Sequence, residues 1–385
     1  MENELKQYFS EHEDEFFMLF KKIIEINSYS YNKAGIDKVL DTIKSYLGTS
    51  FDYQTIESDT YGNLLRASTP AVKTKNTQIM LCGHMDTVFP QDAGFLDYTE
   101  SDGIIKGPGV FDMKGGLLIG IMTLKFLEHK NLLKKIPVTF FFNSDEEIGS
   151  PFSKPYIETE AKRSAAAFVL EGAGHNGEIV TGRKGKIGAS LECFGEAGHA
   201  AFKIAGKKSA ILELAHKIIE IENINDTNTQ ISANVGKISG GVGPNTISDY
   251  AKATIDIRFT NSDDEKNIKQ KLAEIDSMNF VDGVTSKLEI TSGRGSMEES
   301  TLNLSFYEDL KNIIEGYNVK FGREFRGGVS DANAIANVNT PVLDGFGPIG
   351  ADDHSRNEFI EKDSIIERFI ILTVSLLRVF ETKIK

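Results

Sequence analysis

The sequence predicts an α/β protein in two parts, a mixed sheet flanked by helices with a smaller α+β module inserted into it. Three observations carry this expectation. Short apolar runs at 79–83, 138–143 and 165–170 alternate with helical stretches, as buried strands of an α/β sheet do. Each run stops at an acid or an imidazole, namely His84, the acidic SDEE at 144–147, and Glu171. From about 183 to 293 the texture changes to alternating strands and amphipathic helices in the order β-α-β-β-α-β, a ferredoxin-like arrangement. At 385 residues the chain exceeds one ordinary core, so two domains are expected: 1–182 with 294–385, and the insert 183–293.

Phe16, Phe17, Phe20, Ile23 and Ile24, then Ile36, Val39, Leu40, Ile43 and Leu47, recur at helical spacing and open the fold with two packed helices. Extended segments follow at 51–56, 63–68 and 77–83, the second introduced by Tyr61-Gly62-Asn63. A helix begins just after Lys114, where Gly115 and Gly116 lead into LLIGIMTLKFLEH. In the insert, Ile187, Ala189, Leu191 and Cys193 alternate, and a helix over 209–221 places Ile211, Leu214, Ala215 and Ile218 on one face. Strands at 230–238 and 249–259 flank the loop SGGVGPNT; a helix at 263–276 and a strand at 285–291 complete the module. SGRGSMEES, rich in glycine and serine, reads as the return hinge. Beyond it come a helix at 301–316, a loop GGVSDAN, a short strand near 341–343 and a long final helix.

A net charge of −13 argues against nucleic acid or an anionic membrane as partner, because phosphate demands a basic footprint. The most apolar helix, Ile365–Phe380, is shorter than the roughly 20 residues a bilayer requires and carries Glu367, Arg368 and Arg378, so it reads as a core helix. Cys82 and Cys193 sit in strand-like apolar runs far apart in sequence, which favours buried free thiols and a reducing compartment. Residues 1–15 lack the cationic start and apolar run of a signal peptide. A cytoplasmic location is therefore expected.

The residue types at the strand ends suggest a chemistry. A hydrolytic metal pair about 3.5–4 Å apart requires a bridging carboxylate, terminal imidazole or carboxylate ligands, and a free carboxylate to accept a proton from water. Asp112 lies in the glycine-flanked GPGVFDMKGG, where the backbone can turn sharply. Glu146 and Glu147 are adjacent, so that one can ligate while the other stays free. Taken singly, these signals have plainer readings: an Asx turn fits Asp112, a solvated acidic turn fits Glu146-Glu147, and an exposed loop fits His354. Glu171 differs, since a carboxylate directly after AAAFVL is costly to bury unless paired or metal-bound. Five such groups in separate segments are hard to explain by surface solvation.

GHMDTVFP, GPGVFDMKGG, SDEEIGS, VLEGAG, GRKGKIG, GEAGHAAF, GGVGPNTISDYAKATIDIR, GGVSDAN and GPIGADDHSRNEF follow one another over almost the whole chain. In that order they resemble the dizinc metallopeptidase family of glutamate carboxypeptidase, the aminoacylases, acetylornithine deacetylase, succinyl-diaminopimelate desuccinylase and the tripeptide aminopeptidases. The nearest likeness is to the glutamate carboxypeptidase type. The resemblance implies a zinc-peptidase-like catalytic domain with a lid and dimerisation domain. It implies that Asp112 bridges two zinc ions, that His84 and Glu171 complete one ion, and that Glu147 and His354 complete the other. Glu146 would be the general base, and Asp86 would fix the His84 imidazole through a hydrogen bond. The bond Asp112–Met113 would be cis.

His199 would reach from a partner subunit to the oxyanion, Asn245 and Arg258 would hold a substrate carboxylate, and Gly328 would admit substrate close to the backbone. A guanidinium fork suits a carboxylate, though Arg258 could instead pair with the nearby Asp256 or Asp249. The implied activity is hydrolysis of an amide or peptide bond next to a free C-terminal carboxylate, by a homodimer joined through the lid. Cobalt or manganese would also suit the carboxylate-rich pair. The alternatives are an N-acyl amino acid deacylase of the same family and a catalytically silent binding relative. Glu171 itself leans against the aminopeptidase branch, several members of which carry Asp there. His175 is a rival ligand; His12, His129 and His216 read as surface or packing residues.

Overall fold

The larger sheet is built around Gln78–His84, a strand whose seven residues are all buried. Val138–Asn143 and Ser164–Val169 lie on either side of it, both parallel to it. Buried on both faces, such strands are apolar without alternation through their middles, Ile79–Cys82 and Phe140–Phe142, with polar residues at or next to their ends. The full order is Asp52–Ile56, Leu64–Ser68, Val138–Asn143, Gln78–His84, Ser164–Val169, Val342–Leu343, with the first two strands antiparallel. The sheet is mixed, as expected. Helices Gly115–His129, Ser364–Val379 and Glu2–Ile24 pack on one another, and their apolar residues join those of the sheet in one core.

In this computed structural model, residues 1–203, 205–317 and 319–385 are described. They form two compact units, one of 1–182, 299–326 and 330–385, the other of 183–298 and 327–329. In the second unit the strands run in the order Ser232–Gly240, Tyr250–Phe259, Gly185–Phe194, Thr285–Arg294, each antiparallel to its neighbour. Helices Ala210–Glu222 and Ser262–Ser277 share its core through Leu214, Ile221, Ile268 and Leu272. This is the α+β module with ferredoxin-like strand order. Its last strand continues to Arg294 through part of the glycine- and serine-rich stretch expected as a hinge.

Two local expectations are corrected. GGVSDAN is only half loop, because Ser330 caps a short helix, Asp331–Ala336, in a capping box with Asn333. The sequence reading also placed no strands near 99–106 or 350–361. There, Thr99–Ser101, Ile104–Lys106, Phe359–Glu361 and Gly350–Ala351 form a small antiparallel sheet in the first unit. Segments of two or three residues are too short to leave a period in the sequence. Both cysteines are free and buried, and among the described residues no helix is long and apolar enough to cross a membrane.

One ion pair ties the helix Lys154–Lys162 to the sheet. Glu160 accepts from Arg66 Nε at 2.9 Å and from the Gln78 amide at 2.8 Å. The Arg66 side chain is 15% exposed, so removing the carboxylate would leave a poorly solvated cation behind. Glu160→Ala is expected to lower the unfolding free energy by about 3 kcal/mol in urea denaturation. A loss under about 1 kcal/mol, the worth of a surface pair, would contradict this.

Candidate metal centre

Three of the candidate donors come from the carboxyl ends of three adjacent parallel strands. His84 ends the central strand, Glu147 lies in the turn after Val138–Asn143, and Glu171 follows Ser164–Val169. Ligands of open α/β sheets gather at such an edge. Asp112 arrives from an irregular turn, Val110–Lys114, whose Asp112–Met113 bond is cis. The helix that follows is held tightly against the same edge. A Cβ on Gly116 would lie 1.8 Å from the carbonyl oxygen of Leu170, so only glycine lets the helix begin beside Glu171. His354 sits in the loop between Gly350–Ala351 and Phe359–Glu361, with φ at 57°.

Together they form one cluster. His84 Nε2 lies 2.9 Å from Asp112 Oδ1 and 3.7 Å from Glu171 Oε1. The other oxygen of Asp112, Oδ2, is 3.3 Å from His354 Nε2, which is itself 3.2 Å from Glu147 Oε2. One carboxylate thus presents its two oxygens to two different imidazoles. His84, Asp112 and Glu147 each offer a ligand atom within 4.8 Å of the others, and so do Asp112, Asp353 and His354.

The protonation chemistry fits a cation at each imidazole. His84 Nδ1 is 2.9 Å from the backbone carbonyl of Asp86, which can only accept, so Nδ1 carries a proton. Nε2 of the neutral ring is then a lone pair facing a carboxylate, a contact that requires an extra proton or a metal ion. Burial alone would depress the His84 pKa, yet the surrounding carboxylates of Asp112, Asp86 and Glu171 raise it well above the ordinary value. Burial, with the charge of Asp112 second, raises both Glu147 and Glu171. Hydrogen bonds to Asp112 and Glu147 push His354 up to about 11. Against its burial, Asp112 is held below the usual carboxylate range by contacts with His354 and His84.

Asp86 hydrogen-bonds the His84 imidazole through its backbone. Its backbone carbonyl, not its carboxylate, makes the close contact with His84; the carboxylate Oδ1 is 3.4 Å from Nδ1. The carboxylate instead receives Ser30 Oγ at 2.8 Å and the backbone N–H groups of Glu146 and Glu147 at 3.2 and 3.3 Å. Asp86 therefore ties the His84 strand end to the Glu146-Glu147 turn. Glu146 is half-buried and directly precedes Glu147 in the same short turn. The sequence reading missed further supports of that turn. Asp145 accepts from the N–H of Phe152 at 2.6 Å, and Asp331 accepts from Ser150 Oγ at 2.6 Å and from the Asn143 amide. It also missed Asp353, whose signal was its place beside His354.

The remaining candidates lie in the second unit. His199 is exposed, pairs in register with Thr246, and its ring lies tilted against that of Phe202 with the centroids 4.8 Å apart. Asn245 adjoins that pair, its carbonyl accepting the N–H of Ala200 at 2.9 Å. Arg258 follows the local alternative: its Nε and Nη2 meet the two oxygens of Asp256 at 2.7 and 3.3 Å. Gly328 has open space on its side-chain face, where a Cβ would meet only Arg183 Nη1, at 3.9 Å. Of the other histidines, His12 packs on Tyr8 at 4.3 Å and His129 on the same ring at 5.0 Å, while His216 stacks on Phe280 at 5.1 Å.

A mixed α/β sheet whose strand ends surround a carboxylate shared by two imidazoles defines a metal-dependent hydrolase. Carboxypeptidase G2 of Pseudomonas sp. (strain RS-16) is 26% identical over 296 residues, covering 75% of this chain and 71% of that protein. Succinyl-diaminopimelate desuccinylase of Psychrobacter arcticus is 27% identical over 314 residues, 76% of each. The structure of aminopeptidase PepT from Bacillus cereus has the same fold, with a TM-score of 0.71 and 22% identity over 94% of this chain and 98% of that one. The chain belongs to peptidase family M20/M25/M40, whose family model matches residues 80–378.

Burial and the charge of Asp112 raise Glu147 and Glu171, and the neighbouring carboxylates raise both imidazoles, so a metal ion entering the cluster competes with protons for these groups. Adding zinc to chelator-stripped protein at pH 7 in weak buffer is expected to release protons, and apparent affinity should fall as pH falls. A pH indicator or calorimetry in buffers of different ionisation enthalpy measures this. Uptake without proton release would contradict the assignment.

Proposed function

We propose that the protein is a dizinc carboxypeptidase-like enzyme that cleaves an amide or peptide bond next to a free C-terminal carboxylate. The observation that carries this reading is the Asp112 carboxylate, with one oxygen toward His84 and the other toward His354. His84 and Glu171 would complete one site, Glu147 and His354 the other, in imidazole and carboxylate surroundings that suit zinc and also accept cobalt or manganese. Bound there, the ions would supply Lewis-acid polarisation of the scissile carbonyl and acidify the attacking water.

The chain's own residues would do the rest. Glu146 takes a proton from the water as its oxygen bonds to the carbonyl carbon, then delivers that proton to the leaving nitrogen as the C–N bond breaks. Asp86 keeps Glu146 and His84 in register through the turn N–H groups. His199, from a second copy of the chain, donates to the oxyanion. Asn245 and Arg258 hold the substrate's terminal carboxylate, which competes with Asp256 for the guanidinium fork, and Gly328 lets substrate approach the backbone.

A homodimer through residues 183–293 is part of this reading. Ile211 and Ile219 on the helix Ala210–Glu222 and Ile238 on the outermost strand Ser232–Gly240 are about half exposed. Among the described residues that strand ends its sheet, and a sheet edge beside apolar side chains suits pairing with another copy. The domain division expected from sequence, 1–182 with 294–385 around 183–293, is kept as the catalytic and lid division. Two buried free thiols support the cytoplasm as its location. The similarity to a desuccinylase over three quarters of the chain favours a second reading, an N-acyl amino acid deacylase with the same metal kit.

Glu146→Ala is expected to lower kcat by about a thousandfold or more while zinc content, read by mass spectrometry, stays at the wild-type level. Retained turnover would remove Glu146 from the role of base. His199→Ala should cost roughly 2–4 kcal/mol in kcat/KM. Mixing it with an Arg258→Ala variant should restore part of the activity if sites are shared between copies, and none if they are not. A screen of C-terminal glutamyl peptides against N-acyl amino acids separates the two readings.

A further inference from the structure

Glu358 has no part in the chemistry above, yet its carboxylate is fully buried beside the centre. Its Oε2 accepts the N–H of Gly109 at 2.9 Å, and its Oε1 accepts those of Phe111 at 2.8 Å and Asp112 at 3.0 Å. Three backbone donors of one turn therefore converge on a single side chain that lies almost 250 positions further along the chain. That side chain belongs to the segment joining His354 to the strand Phe359–Glu361. The next residue, Phe359, pairs in register with Lys106, just before the Asp112 turn.

We infer that Glu358 is a positioning residue that sets the bridging carboxylate of Asp112 against the imidazole of His354. The inference rests on the reading of those two residues as ligands. Asp112 itself has backbone angles of −117° and 91° within a tight turn, so its own helix does not dictate where its side chain points. The turn's N–H groups must find acceptors in a buried setting, and a carboxylate, with two oxygens and no donor, satisfies all three at once. Because the acceptor sits on the His354 segment, the same bonds fix the separation between bridging and terminal ligand. A glutamine keeps one oxygen, enough for Phe111 and Asp112, but turns its amide N–H groups toward the N–H of Gly109. An alanine leaves all three donors without this acceptor.

The test is a cobalt titration of chelator-stripped protein, followed by the visible absorption of bound Co2+, for wild type, Glu358→Gln, Glu358→Ala and the control Glu160→Gln. The control perturbs a buried carboxylate of the same unit away from the Asp112 turn. Glu358→Ala is expected to weaken cobalt binding about 10- to 100-fold with an altered cobalt spectrum, as loss of a ligand's support does, and Glu358→Gln to give an intermediate loss. Glu160→Gln should bind cobalt as wild type does. If Glu358→Ala does not fold, Glu358→Gln decides alone: weaker binding at an unchanged metal-free melting temperature supports the inference, and wild-type binding overturns it. Equal losses in Glu358→Gln and Glu160→Gln overturn it as well, by reducing Glu358 to a fold contact. Wild-type protein that takes up no cobalt would instead sink the ligand reading itself, and the inference with it.

Discussion

Asp112 is held between two imidazoles, each of its oxygens committed to a different ring, in surroundings where charge is poorly solvated. A carboxylate in that position constrains everything around it. His84 can face it only because the central strand ends there, and His354 only because a small antiparallel sheet folds the far end of the chain back beside the turn. Gly116 removes the side chain that would keep the helix, and with it the turn, away from Leu170 and Glu171. Burial and the charge of Asp112 raise Glu147 and Glu171, while both histidines are raised by their carboxylate neighbours against the effect of their burial.

Around this centre lies a layer of buried acids, each supplied with donors. Asp86 takes two turn N–H groups and a serine hydroxyl, Asp145 takes the N–H groups of Phe152 and Ser153, and Glu358 takes three N–H groups of the Asp112 turn. The layer orients groups that carry the same sign of charge as itself, an arrangement that favours cations at its middle.

Much of the fold was legible because its main strands are buried on both faces. VTFFFN and QIMLCGH announce themselves by the apolar runs at their middles, and the helix after Lys114 by its paired glycines and long apolar run. What escaped was short or locally polar. The six-residue helix Asp331–Ala336 shows only its capping pattern, Lys154–Lys162 opens with a proline in polar company, and strands of two or three residues have no period to read. At the centre, His84 and Glu171 stood out by ending buried runs, whereas Glu358 and Asp353 sit in a polar loop that resembles any exposed turn. Spacing also put Asp86 beside His84 but could not tell which of its oxygens would face the ring. The backbone carbonyl took that place and freed the carboxylate for the turn.

The central claim is that one carboxylate joins two metal sites. Anomalous diffraction at the zinc edge on crystals of zinc-loaded protein tests it most directly. The account predicts two peaks about 3.5–4 Å apart, one beside His84 and one beside His354, with an oxygen of Asp112 on each. A single peak, or two peaks that leave Asp112 uncoordinated, would contradict it.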